Sequence, residues 1–132
     1  MPENKLVAVW LGCHKDHADL QQYVSFDYAR GHKAPSSFCR DAGLGNFNED
    51  SFEAFMFDPA QALEQLKTSL YADHFFERLQ PYLTCDRLHG KNAAFFLFAD
   101  DHMNRDLYSF LPHATPNGAL DFIGLFHFVA GG

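Results

Sequence analysis

Leu6-Val7-Ala8-Val9-Trp10-Leu11, closed by Gly12, decides the fold. Successive side chains of a strand point to opposite faces, so an unbroken apolar run leaves no face for water. A run this short, ending in glycine, reads as a strand covered on both sides. Two later segments share its character: Ala93 to Ala99 (AAFFLFA) and Leu120 to Ala130 (LDFIGLFHFVA) both read as central strands. In the second, alternation puts Leu120, Phe122, Phe126 and Phe128 on one face and Ile123, Leu125 and Val129 on the other. Ser51 to Phe57 completes the set, with Glu53 the only charge among three Phe and one Met.

Helices fill the intervals. Asp16 can cap a helix in which Leu20, Tyr23 and Val24 recur at helical spacing, predicted to run to about Tyr28. Pro35-Ser36-Ser37 opens a helix of one to two turns that Gly43 closes. Asp58, Pro59 and Gln61 have the N-cap, first-position and capping-box character of a helix start, with Leu63, Leu66 and Leu70 as its buried stripe. Asp73 to Gln80 forms another helix, with Phe75, Phe76 and Leu79 facing inward, until Pro81 interrupts it. Between the last two strong strands, Asp100 to Gly118 reads as a loop with a short edge strand, Leu107 to Leu111, turning at Asn117-Gly118. The expectation is an α+β fold in a single domain, residues 1 to 132: one sheet of four to five strands with three to four helices packed on it.

Composition bounds the function. Hydrophobic residues make up 47% of the 132 residues and aromatics 16%, which excludes a disordered chain. No apolar run reaches the roughly 20 residues of a membrane helix, and the N-terminus lacks a signal-peptide pattern, so a soluble cytoplasmic protein without a membrane partner is expected. Three cysteines, Cys13, Cys39 and Cys85, are odd in number and widely spaced, and read as reduced, mostly buried thiols. The formal charge is −7, from 17 acidic and 10 basic residues. The basic residues form no stripe that could neutralise phosphates, so no direct nucleic-acid ligand is expected. The acidity serves solubility, or steers the chain towards a basic partner.

Catalytic signatures are sparse. Cys13-His14-Lys15-Asp16-His17 sits where a strand hands over to a helix, a setting that can lower a thiol pKa. That supports an alternative reading as a small thiol- or metal-dependent enzyme using Cys13, His14 and His17, against the ordinary one of a packed or idle thiol. His14 and His17, and Asp100-Asp101-His102, are short of any zinc-site spacing, so no metal or other cofactor is expected. There is no GxSxG, P-loop or GxGxxG, and the paired acids Glu49-Asp50 and Asp100-Asp101 read as solvated loops. A binding protein, not an enzyme, is the expectation; a generic interaction or regulatory module is the other alternative.

Several motifs stand in order along the chain: Trp10-Leu11-Gly12, Tyr23 and Tyr28, then Ser37-Phe38 with Asp41 and Gly43, then Asn48-Glu49-Asp50 with Phe52-Glu53. Phe95-Phe96-Leu97-Phe98 and Phe122-Ile123-Gly124-Leu125-Phe126 complete the set, which spans about Lys5 to Val129. Taken together, these motifs resemble the immunity protein 22 family of bacterial polymorphic toxin systems. The chain departs from the family in the loop after Tyr28, usually acidic there but here Arg30-Gly31-His32-Lys33. The resemblance implies a protein that shields its own cell by binding a cognate toxin domain, delivered by secretion machinery such as type VI and often a nuclease. A nuclease cleft is basic, and an acidic inhibitor can occupy it. The candidate contacts are the acids of polar stretches, Asp27, Glu49, Asp50, Glu53, Asp58, Asp100, Asp101 and Asp106, around an aromatic anchor, Phe47 or Tyr108.

Overall fold

Burial on both faces is what the apolar run of the first strand demands, and the computed structural model of the chain meets that demand with a sheet between two helical layers. The structure describes residues 3–25, 36–42, 52–69, 71–100 and 120–130. Within them, β1 (Glu3–Gly12), β2 (Phe52–Met56), β3 (Ala93–Asp100) and β4 (Leu120–Ala130) form one antiparallel sheet in the order β2-β3-β1-β4. Five helices accompany it: α1 (His17–Val24), α2 (Ser37–Ala42), α3 (Ala62–Leu66), α4 (Ala72–Leu79) and α5 (Cys85–Leu88). This is the expected α+β arrangement, with one helix beyond the expected number. None of the described helices is long and apolar enough to cross a membrane. The expected loop Arg30 to Lys33, edge strand Leu107 to Leu111 and turn Asn117-Gly118 lie outside the described residues.

Every residue from Leu6 to Leu11 is buried. Val7, Val9 and Leu11 join Phe96 and Phe98 of β3 under Leu66 of α3 and Phe75, Phe76 and Leu79 of α4. Ala8 and Trp10 join Phe95 and Leu97 under Leu20 of α1 and Phe38 of α2. Phe38 is the keystone of that second layer. Its ring meets Trp10 edge-on at 5.1 Å and stacks on Phe95 at 5.0 Å.

The structure corrects the alternation in β4. Val9 pairs with Gly124 but Trp10 pairs with Phe122, so Ile123 is the extra residue of a β-bulge. One extra residue inverts the period of two, and side chains beyond it exchange faces. Ile123 therefore lies with Phe126 and Phe128 against the α3–α4 layer, while Phe122 and Leu125 pack with Leu120 on the other side. Glycine suits position 124: a Cβ there would meet the Phe126 ring at 3.2 Å. β3 is central as expected, whereas β4 has β1 on one side and no strand on the other among the described residues.

Two helices differ from expectation for local reasons. The helix opening at Asp58 begins as a 3-10 turn, Pro59–Gln61, and α3 stops at Leu66. Beyond it the Thr68 hydroxyl donates to the Gln65 carbonyl and competes for that helical acceptor, while the Ser69 hydroxyl donates to Glu53 of β2. The side chain that returns to the Asp58 amide is Gln65, not Gln61. α1 ends at Val24, where the Ser25 hydroxyl donates to the Gln21 carbonyl. Nor are the thiols mostly buried: Cys39 is buried, while Cys13 and Cys85 are exposed, and all three are free.

Tyr71 starts α4 in the left-handed region, at φ 61°. An L residue there costs about 1–2 kcal/mol. Its ring offsets this by lying 5.8 Å from Phe98 and 5.6 Å from Phe128, with the Lys5 ammonium 5.7 Å over its face; aromatic pairs contribute about 0.5–1.5 kcal/mol each. Tyr71→Ala removes the ring and keeps the strain, whereas Tyr71→Gly removes both. Urea unfolding should rank wild type above Tyr71→Gly, and Tyr71→Gly above Tyr71→Ala by about 1 kcal/mol. An Ala variant as stable as the Gly variant would refute the strain.

Candidate functional site

Where β1 ends, the chain must turn away from the sheet and leave its last backbone groups to find partners. Asn92, one residue before β3, supplies them. Its amide side chain accepts from the His14 N–H and donates to the His14 carbonyl, both at 2.8 Å, and its own N–H donates to the Gly12 carbonyl. The Asn92 carbonyl accepts from the Phe57 N–H, tying the exit of β2 to the same point. Asn92 escaped the sequence reading because a lone Asn before a strand looks like ordinary turn chemistry; Gly90, at φ 76°, was the accompanying signal.

From this anchor the chain enters α1. Asp16 caps the helix, accepting from the Asp19 N–H at 2.8 Å as expected. Asp19 Oδ2 in turn meets the Lys15 N–H at 3.2 Å and His14 Nδ1 at 3.0 Å. The Lys15 amide, and then His14, hold the Asp19 carboxyl below its usual 3.8. The His14 ring lies 4.6 Å from Tyr23, tilted against it, with Phe95 5.9 Å away edge-on. Tyr23 donates its hydroxyl to Asp41 Oδ2 of α2 at 2.6 Å. Asp19, His14, Tyr23 and Asp41 thus form one polar seam joining the end of β1 to α1 and α2.

This arrangement bears on the thiol and metal readings. The His14 ring is committed to Asp19 and Tyr23, Cys13 is exposed, and His17 is exposed at the first position of α1. Among the described residues, no group of three His, Cys, Asp or Glu side chains is placed to hold a metal ion. The groups of the seam are partnered with one another.

The candidate contact acids scatter differently. Glu53, on β2, accepts from the buried Ser69 hydroxyl at 2.7 Å and so links β2 to the turn after α3. Asp58 is exposed and caps the 3-10 turn, accepting from the Ala60 N–H at 3.0 Å. Asp100 is described by its backbone alone, at the end of β3 opposite Lys5. Asp27, Phe47, Glu49, Asp50, Asp101, Asp106 and Tyr108 lie outside the described residues.

Burial and the Asp41 carboxylate push the Tyr23 phenol above its usual 10.0, since both disfavour a phenolate. Above pH 10 the unfolded chain releases this proton while the folded chain keeps it. Stability from the seam is therefore full below pH 10 and declines as pH rises further. Tyr23→Phe, which has no proton to lose, should show a shallower alkaline decline in urea midpoint than wild type between pH 9.5 and 11. Parallel declines would place the raised phenol elsewhere.

A model of the family described as Immunity protein 22 matches residues 7–128. No match was found among curated proteins or among solved structures. The matched stretch runs from inside β1 to inside β4 and includes the whole seam, from His14 to Asn92. The chain belongs to the Immunity protein 22 family.

Proposed function

We propose that this protein neutralises a cognate secreted toxin, a nuclease, by binding the toxin domain in the cytoplasm of the producing cell and covering its active cleft. The observation that carries this reading is the family match over residues 7–128, because membership assigns an immunity role. Charge supports the finer part. A net −7 suits a partner whose cleft must attract phosphate, and complementary potentials raise association rates more than they raise affinity.

The contact acids in this reading are Asp27, Glu49, Asp50, Asp100, Asp101 and Asp106, with Phe47 or Tyr108 as the desolvated anchor. Glu53 and Asp58 fit less well, since a partner would compete with Ser69 and with a helix cap for their carboxylates. In this reading the protein acts by binding and not by catalysis.

Co-expression with the C-terminal domain encoded by the adjacent open reading frame tests the class. Growth rescued by the protein, together with co-purification of the two chains, is the expected result; toxicity that persists would refute it. The electrostatic part has its own test. Reversing charge with Glu49→Lys and Asp50→Lys should slow association about tenfold at low salt and flatten its salt dependence. Unchanged association kinetics would exclude that pair of acids from the contact.

A further inference from the structure

α1 and α4 are both eight residues long, short of the roughly 12–15 at which an isolated helix holds in water, so each depends on what it packs against. They are attached in different ways. α4 buries Ala72, Phe75, Phe76 and Leu79 in the core beneath it. α1 buries Leu20 alone; Tyr23 and Val24 are partly buried, and its other side chains are exposed.

The remaining attachment of α1 is polar, with one link near each end. In its first turn Asp19 Oδ2 meets His14 Nδ1 at 3.0 Å, and the Asn92 amide holds His14 at the end of β1. In its last turn the Tyr23 hydroxyl donates to Asp41 Oδ2 of α2 at 2.6 Å. The helix lies over β2, which ends the sheet among the described residues, and against α2. The middle of the sheet has other cover: Trp10 takes Phe38 of α2 at 5.1 Å and Phe122 of β4 at 5.3 Å as ring neighbours.

We infer that α1 is a strap that opens as a unit while the sheet, α2 and α4 stay folded, and that the Asp19–His14 and Tyr23–Asp41 links close it. Proteins open locally where little apolar surface is buried, in contiguous cooperative units. A hydrogen bond formed in reach of water gains little over the one it replaces, so such links define the closed position without preventing opening. Opening takes Tyr23 from its edge-on contacts with Phe95 and Phe38 and uncovers the His14 side chain, which is 10% exposed when the strap is closed.

Native-state hydrogen exchange in sub-denaturing urea tests this, read at the amides of Leu20 to Val24 in α1, of Phe76 and Leu79 in α4, and of Val7 to Trp10 in β1. In wild type the α1 amides should exchange about a hundredfold faster than those of β1, relative to intrinsic rates, and with little dependence on urea, because strap opening exposes little surface. Tyr23→Phe should speed α1 exchange about tenfold by releasing one link. Tyr71→Ala weakens packing that survives strap opening, so it should speed exchange in β1 and α4 and leave α1 unchanged. Exchange in α1 that matches β1 in urea dependence, or that rises with β1 in Tyr71→Ala, would overturn the strap. Unchanged α1 exchange in Tyr23→Phe would overturn the part given to the Tyr23–Asp41 link. Should Tyr71→Ala not fold, the urea dependence in wild type decides alone.

Discussion

A strand with no face left for water imposes the rest of this molecule. β1 places six consecutive apolar side chains where each must be covered, and its backbone must find hydrogen bonds along both edges. β3 and β4 meet the second requirement. The first needs two separate layers, and the chain builds them in order: α1 and α2 for one face, then α3 and α4 for the other. At about 25 cal/mol per Å² of apolar area buried, these two interfaces are the main favourable term in folding. Turns and caps decide how the layers are reached, not whether they are needed.

Such a strand is easy to read from sequence, because continuous burial leaves continuous apolar letters. β3 and the extent of β4 were legible for the same reason, as were the inward Phe75, Phe76 and Leu79 of α4. What escaped reading was whatever broke a period. The bulge at Ile123 is one residue long, and the one letter that marks it is Gly124, a residue that weakens a plain strand. The stop of α3 depends on where the hydroxyls of Thr68 and Ser69 find acceptors, one of them on β2, far away in sequence. α5 is a single turn begun by Thr84, whose hydroxyl accepts from the Arg87 N–H; a capping residue alone is too common to predict it.

The site was less legible than the fold, and the seam shows why. Cys13 and His14 drew notice as neighbours in sequence, yet the groups that determine what His14 does are Asp19, Tyr23 and Asn92, the last 78 positions away. Glu53 and Asp58 looked alike as acids in polar surroundings, but one anchors a turn from β2 and the other caps a helix start. A carboxylate's role depends on the donors around it, and composition cannot supply them.

The same contrast bears on what the family resemblance means. Trp10, Phe38, Phe95 and Phe96 carry much of it, and all four are fully buried. Residues of that kind identify a fold by its packing, and a toxin cannot touch them. Recognition has to be carried by side chains that packing leaves free to differ, while the packed layer fixes where those side chains stand. The seam from Asp19 through His14 and Tyr23 to Asp41 belongs to that packed layer: partnered at every step, anchored at the end of β1, and reaching both α1 and α2.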